Sequence, residues 1–227
     1  MTPHAVSGGP PNGGMSGRVA GIALLLIFEG ALFAPVWAAE RSILVLTSTA
    51  ADTRLDASRE AVRFWNDVLA GLGIETRFAE PRVIVESPVT RALENYARVI
   101  ATRAGRLPAG DFEPGAPAEL MGLDADVVVL LSRQDILSFT WPLPGVNPLR
   151  HFVVIRSVRA PDRDDAMVSR HVIAHELGHA IGLDHNDDPH ALMCGPCQPL
   201  TAVSDASGFL PVIDVDRARL IELLDVG

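Results

Sequence analysis

The sequence predicts an α/β (α+β) domain, in which strands alternate with helices and a less regular C-terminal part follows. Three observations indicate this class. Short apolar runs alternate along the chain with segments of helical periodicity. The chain has 227 residues, 48% of them hydrophobic, which is enough for one substantial core. Turn-forming residues then dominate about 30 positions after the longest C-terminal helical pattern.

Four short segments are predicted to be strands of the sheet. They are 42–48, 74–80, 125–132 and 151–158. The third, ADVVVLLS, is the clearest buried strand, because it is apolar along most of its length. We expect the fourth to lie at an edge of the sheet.

Four longer segments are predicted to be helices. They are 53–73, 91–105, 165–182 and 214–226. In the first, Leu55, Val62 and Trp65 recur on a helical period, and Gly73 supplies a stop signal. The segment 110–123 is predicted to be a loop, because it is rich in Gly and Pro.

The N-terminal residues 1–38 are predicted to be a secretory signal rather than part of the fold. Arg18 precedes the apolar run 19–28, and the small residues Val36 and Ala38 precede a cleavage position after Ala38. A basic flank, an apolar stretch and a small-residue cleavage site are the parts of such a signal. The sequence therefore predicts a secreted, periplasmic or extracellular protein.

An uncleaved membrane anchor is the alternative for this N-terminal segment. The apolar stretch extends to Ala39, near the length of a membrane span, although Glu29 in its middle counts against a lipid-embedded helix. A membrane is thus a partner only if the segment is retained. In both cases residues 39–227 are predicted to form a single catalytic domain.

The charge balance argues against nucleic acid as a partner. The formal net charge is −9, and all 19 basic residues are arginine. Binding to nucleic acid or anionic lipid depends on clustered positive charge, and this sequence contains no basic run.

The segment HELGHAIGLDH, residues 175–185, carries the strongest functional signal. His175 and His179 are four residues apart, so a helix places them one turn apart on the same face, where both imidazoles can bind one ion. Zn²⁺ accepts neutral imidazole nitrogens as ligands. Glu176 lies about 100° further round the helix, within reach of a water at the metal.

His185 lies too far along the sequence to share that helix face. Gly182 resolves this, because glycine tolerates positive φ and can end the helix, turning the chain back towards the metal. Three histidine ligands with a fourth position left for water are typical of a catalytic zinc site. A histidine cluster in the core or a solvated helix face is the competing interpretation.

These residues resemble the metzincin zinc peptidases and, within them, the matrixins. HELGHAIGLDH fits their pattern H-E-x-x-H-x-x-G-x-x-H, and HALMCGP (190–196) is similar to their Met-turn, with Met193 beneath the zinc. The resemblance implies a twisted mixed sheet with two long helices in an upper lobe. It also implies an irregular lower lobe that contains the Met-turn and a C-terminal helix.

The same resemblance implies a zinc endopeptidase that acts on protein or peptide substrates, and the predicted signal segment implies that it is exported. Glu176 would be the general base, and a substrate strand would pair with a sheet edge within 151–158. At two positions the sequence differs from particular subfamilies of the metzincins. Asn186 stands where animal matrixins have serine, and Gly195 stands where astacin-like members have tyrosine.

Cys194 and Cys197 form the sequence CGPC, which is also found in thioredoxin-like redox centres. In an exported protein a disulfide that stiffens the floor of the site is favoured over free thiols or a redox pair.

Other functions and a second metal stay open on the sequence. A zinc hydrolase or zinc-binding module that cleaves no peptides would need the same three histidines, and a thiol-disulfide oxidoreductase would use the two cysteines. The acidic segments 161–165 and 184–188 could bind Ca²⁺, although such stretches are more often solvated loops.

Overall fold

The computed structural model describes five stretches of the chain: 40–104, 115–143, 149–157, 165–195 and 208–224. All of these residues belong to one compact unit, Trp37–Gly227. The predicted signal segment lies outside the described residues. Within the described ranges, no helix is both long and apolar enough to cross a lipid bilayer.

A five-stranded mixed sheet forms the centre of the molecule. The strands in chain order are β1 (Glu40–Arg41), β2 (Ile43–Thr47), β3 (Arg77–Phe78), β4 (Arg82–Val85), β5 (Val127–Leu131), β6 (Phe139–Leu143) and β7 (Arg150–Ile155). The order across the main sheet is β4-β2-β5-β7-β6, and β1 and β3 form a separate parallel pair. In the main sheet β6 runs antiparallel to β7, while the other neighbours are parallel.

Five helices accompany the sheet in the described residues. They are α1 (Arg54–Gly71), α2 (Pro88–Ala104), α3 (Ala118–Met121), α4 (Asp165–Ala180) and α5 (Asp214–Leu224). The four predicted helices are confirmed, with α2 beginning three residues earlier than the sequence predicts. The predicted loop 110–123 contains the single turn α3, and residues 110–114 lie outside the described residues.

The predicted strands are confirmed in β2, β5 and β7, but the predicted place of β7 at a sheet edge is wrong. β7 is hydrogen-bonded to β5 on one side and to β6 on the other. The edge is β6, which the sequence prediction missed because Pro142 interrupts its pattern. Proline is tolerated there because an edge strand has one unpaired side.

At the opposite edge the prediction of 74–80 as one strand was too long. Only Arg77–Phe78 is extended in a ladder, and Arg82–Val85 forms the missed edge strand β4. Most of β4 is solvent-exposed, so it lacks the alternation of buried and exposed residues that would have marked it.

The sheet separates two hydrophobic clusters. Val127 and Val129 of β5 face a cluster with α1 and α4, while Val128 and Leu130 face a second cluster with α2 and α3. A strand that is buried on both faces is apolar at every position, which explains why β5 was the clearest strand in the sequence.

Close packing of α1 against α4 fixes the helix that carries the histidine motif. Trp65 of α1 is fully buried, and its Nε1 donates a hydrogen bond to the main-chain oxygen of Ala174 at 2.7 Å. A Cβ at Gly178 would lie 2.9 Å from Trp65 Cζ2 and 2.5 Å from Met193 Sδ. The absence of a side chain at position 178 therefore permits this approach.

Candidate metal centre and active site

Helix α4 places two of the motif histidines side by side. The Nε2 atoms of His175 and His179 are 3.2 Å apart, as expected for residues one helical turn apart. Both rings are partly buried. The helical repeat alone therefore produces this half of the candidate site.

The turn at the end of α4 brings in the third histidine. Gly182 has φ of +100°, and Leu183 N–H donates to the main-chain oxygen of Gly178 at 3.1 Å, a helix-ending hydrogen bond of the Schellman type. Beyond this turn, the Nε2 atom of His185 lies 3.1 Å from the Nε2 atoms of both His175 and His179. All three motif histidines thus face one point.

Hydrogen bonds to backbone carbonyls set the tautomers of the two helical histidines. His175 Nδ1 donates to the main-chain oxygen of Leu192, and His179 Nδ1 donates to that of Leu183, each at 2.7 Å. A carbonyl only accepts, so Nδ1 carries the hydrogen and Nε2 keeps a free lone pair in the neutral ring.

Burial also favours the neutral form of these rings. Burial, together with smaller contributions from the nearby rings of His179 and His185, lowers the pKa of His175 to about 4. Burial likewise lowers the pKa of His179. At neutral pH both rings can therefore bind a cation without first losing a proton.

The donor set fits a zinc ion. Three tetrahedral ligand atoms at about 2.0–2.1 Å from Zn²⁺ lie roughly 3.3–3.4 Å from one another. The observed nitrogen separations of 3.1–3.2 Å are close to that requirement. Within the described residues, these histidines are the one group of three or more potential ligands whose donor atoms lie close together. The acidic segment 184–188 forms no such group, and residues 161–164 lie outside the described residues.

Glu176 lies next to this cluster and is almost fully enclosed. Only 6% of its surface is exposed, and burial raises the pKa of its carboxyl group to about 7. The hydroxyl of Thr140 on β6 lies 2.8 Å from Glu176 Oε2 and lowers this pKa in part. A carboxyl group that changes protonation near neutral pH is suited to proton transfer.

The chain segment around the third histidine is held by contacts with later parts of the sequence. Asn186 N–H donates to the main-chain oxygen of Met193 at 2.8 Å, and Gly195 N–H donates to that of Asn186 at 3.0 Å. The side-chain Nδ2 of Asn186 donates to both carboxylate oxygens of Asp216, at 3.1 and 3.0 Å. Asp216 belongs to α5 and is 4% exposed.

Met193, the predicted Met-turn residue, is fully buried in the cluster that also contains Trp65. The next residue, Cys194, is disulfide-bonded. Cys197 is the other cysteine of the sequence and lies outside the described residues. The disulfide therefore covalently restrains the residue directly after Met193.

The family model for Matrixin matches residues 49–205, which is more than half of the chain. The protein belongs to the matrixin family. The metzincin-type fold and the zinc-peptidase family that the motif indicated are thereby confirmed, and the three convergent histidines of this matrixin could hold the metal.

Two solved structures are similar to the matrixin chain. Archaemetzincin from Methanopyrus kandleri is 19% identical, with a TM-score of 0.40, over 85% of this chain and 97% of that one. A zinc-dependent peptidase from Methanocorpusculum labreanum is 17% identical, with a TM-score of 0.32, over 67% of this chain and 87% of that one. Comparison with curated protein sequences gives no match.

Two side chains at the site of this matrixin were not predicted from the sequence. Thr140 lies on the overlooked strand β6, where the run of β-branched and aromatic residues from Phe139 to Trp141 is the available signal. Asp216 lies in the first turn of α5 and also accepts a hydrogen bond from Ile213 N–H. Acidic residues are common at that position, so the sequence gives no sign of its contact with Asn186.

Proposed function

We propose that this matrixin is an exported, zinc-dependent endopeptidase. One observation carries the proposal: three imidazole Nε2 atoms lie 3.1–3.2 Å apart beside one buried carboxyl group. His175, His179 and His185 would hold the ion. Met193 would form the apolar floor below it, and Gly182 would provide the turn between the second and third ligands.

The chemistry divides between the metal and Glu176. Bound Zn²⁺ polarises the carbonyl of the scissile peptide bond and makes water more acidic. Glu176 is the general base: its carboxylate takes one proton from the attacking water and then delivers that proton to the departing amine. The low exposure of Glu176 supports this role, because a buried carboxyl group binds and releases a proton near neutral pH.

The free edge of β6 is the proposed docking place for an extended peptide. Among the described residues β6 pairs only with β7, so its other side offers backbone donors and acceptors to an added strand. Thr140 connects this strand to Glu176, so a peptide on the edge passes close to the proposed base. β6 thus replaces segment 151–158 as the proposed substrate-binding edge.

Export is the second part of the proposal. The basic Arg18, the apolar run 19–28 and the small residues before position 39 support a cleaved signal. The disulfide at Cys194 is consistent with an oxidising compartment. Expression in a secreting host with mass analysis of the product tests it, and a mature chain that begins at Ala39 is expected. A product that keeps residues 1–38 would instead support the membrane anchor.

A cleavage assay tests the enzymatic part of the proposal. The zinc-loaded chain is expected to cut labelled casein at internal peptide bonds, and a chelator should abolish the cleavage. In Glu176→Gln the turnover number should fall about 10²–10⁴-fold, since general acid–base catalysis contributes this much, while the zinc content is unchanged. Glu119→Gln changes an exposed glutamate and is the matched control. Zinc binding without any cleavage would refute the endopeptidase and leave a zinc-binding module or another hydrolase.

A further inference from the structure

The hydroxyl group of Thr140 contacts the proposed base twice. Its Oγ1 lies 2.8 Å from the carboxylate atom Oε2 of Glu176 and 2.8 Å from the main-chain oxygen of the same residue. Both distances are within hydrogen-bond range, and the single hydroxyl hydrogen can be donated to only one of these two oxygens at a time. One side chain on the sheet edge therefore contacts both the side chain and the backbone of the proposed base.

The register of β6 explains why this residue faces α4. Thr140 pairs with Val153 of β7, and Val153 belongs to the cluster that contains α1 and α4. The residues on either side of Thr140, Phe139 and Trp141, pack against the cluster on the other face of the sheet, which contains α2. Successive strand residues point to opposite faces, so the strand directs Thr140 alone of these three towards Glu176.

We propose that Thr140 is a positioning residue that holds the carboxyl group of Glu176 in one orientation throughout the reaction. The proposal rests on the endopeptidase function given above and adds a residue to its machinery. Thr140 neither gains nor loses a proton overall. It acts through Glu176, because no described contact joins its hydroxyl to the histidine ligands.

The chemistry of a hydroxyl group suits both protonation states of the base. A threonine hydroxyl has one hydrogen to donate and two lone pairs that accept. While Glu176 is ionised, Thr140 donates to Oε2. After Glu176 has taken the proton from water, its carboxylic O–H can donate to Thr140 Oγ1, and Thr140 then donates to the main-chain oxygen of Glu176. The carboxyl group thus keeps a partner before and after each proton transfer.

Thr140 lies on β6, the edge strand with which the peptide would pair. Its contact with Glu176 therefore links the strand that binds the substrate to the proposed base. The hydroxyl contributes to orientation rather than to peptide affinity, since strand pairing uses backbone groups. Loss of the hydroxyl should therefore lower the turnover number and leave the Michaelis constant nearly unchanged.

The test compares Thr140→Val, which keeps the shape but lacks the hydroxyl, with Thr140→Ser, which keeps the hydroxyl. The substrate is a fluorogenic peptide that contains a site identified in casein digests. Thr140→Val should lower kcat about tenfold, the lower end of what such supporting hydrogen bonds contribute, with KM and zinc content unchanged. Thr140→Ser should recover kcat to within about threefold of the parent. Parental kcat in Thr140→Val, or equal losses in both variants, would overturn the inference.

Two further measurements keep the outcome decisive. If Thr140→Val does not fold, Thr140→Ala takes its place, with the same expected loss and the same rescue by serine. In a Glu176→Gln background, Thr140→Val should cause no further loss of kcat, and an independent loss there contradicts a role through Glu176.

If the zinc-loaded parent cleaves no peptide, the proposed function itself fails and this inference fails with it. If the parent is active but indifferent to Thr140→Val, only this inference fails.

Discussion

The two halves of the candidate site differ in what positions them. The helix half, residues 175–179 of α4, gets its geometry from the helical repeat and from burial against α1. The loop half, residues 183–195, has no regular secondary structure beyond one isolated bridge between Asn186 and Cys194. The position of its histidine, His185, depends on hydrogen bonds that the next residue, Asn186, donates to Met193 and Asp216.

This difference shows that a site can have a rigid part and a part that needs external support. Ile173 and Leu177 anchor the helix half in the core, whereas residues 184–190 of the loop half, which include His185, are exposed or half-buried. Regions with few buried contacts open at low free energy. We therefore expect changes in metal, turn or α5 contacts to act mainly on the loop half.

Metal removal should have the largest effect. Chelation should abolish cleavage and lower the free energy of unfolding by about 3 kcal/mol, when the zinc concentration before chelation is about 100 times the dissociation constant. Hydrogen exchange measured by mass spectrometry should accelerate in residues 183–195 and change little in 175–179. Equal acceleration in both halves would contradict the comparison.

Gly182→Ala should have the second largest effect, because it strains the turn that connects the helix half to the loop half. Alanine at φ of +100° is strained, and its Cβ would lie 2.7 Å from Leu223 Cδ1. We expect a loss of about 2 kcal/mol in unfolding free energy, together with weaker zinc binding. Urea denaturation and zinc titration measure the two quantities.

Gly71→Ala is the matched control for that substitution. Position 71 ends α1, and an added Cβ there meets nothing within 4 Å. The control should be neutral or slightly stabilising. A Gly182→Ala variant as stable as this control would show that the turn does not depend on glycine.

Asp216→Ala should loosen mainly the loop half. It leaves the amide of Asn186 without its buried acceptor, at a cost of about 1–2 kcal/mol, and zinc affinity should fall roughly tenfold. Asp214→Ala is the control, because Asp214 also lies in the first turn of α5 but is exposed. Calorimetric zinc titration of both variants gives the comparison, and equal affinities would contradict the role of Asp216.

The smallest expected effect is a loss of stability at acidic pH that arises from His151, close to the C-terminal end of α4. His151 of β7 is 8% exposed, and burial, with the adjacent Arg41 guanidinium, lowers the pKa of His151 from 6.5 to about 4. Arg41 also donates to the main-chain oxygen of Ala180, the last residue of α4. The unfolded chain binds a proton at His151 below pH 6.5, whereas the folded chain does so only near pH 4.

The sign of the effect follows from this difference in proton binding. Stability from neutral His151 is present above pH 6.5 and is lost as the pH falls towards 4, by about 1 kcal/mol between pH 7.5 and pH 6. His151→Gln should remove that part of the acid sensitivity. Urea denaturation of parent and variant at the two pH values checks this, and equal losses in both proteins would contradict it.

Much of the fold and of the site was predictable from local patterns. The helical repeat predicted the pairing of His175 with His179, and the apolar runs predicted β2 and β5. The edge strand β6 was not predictable in this way, because Pro142 and partial exposure hide its pattern. A strand's place in a sheet depends on which segments pack beside it, and this information is not local.

The local sequence is sufficient to specify the chemical groups of the site: three imidazoles and a carboxylate, with a glycine where the chain must turn. The side chains that support these groups depend instead on how distant segments pack together. Thr140 and Glu176 are 36 residues apart, and Asn186 and Asp216 are 30 apart. The motif spacing follows from the helical repeat and one turn, whereas contacts over such separations exist only after the sheet, α4 and α5 have packed together.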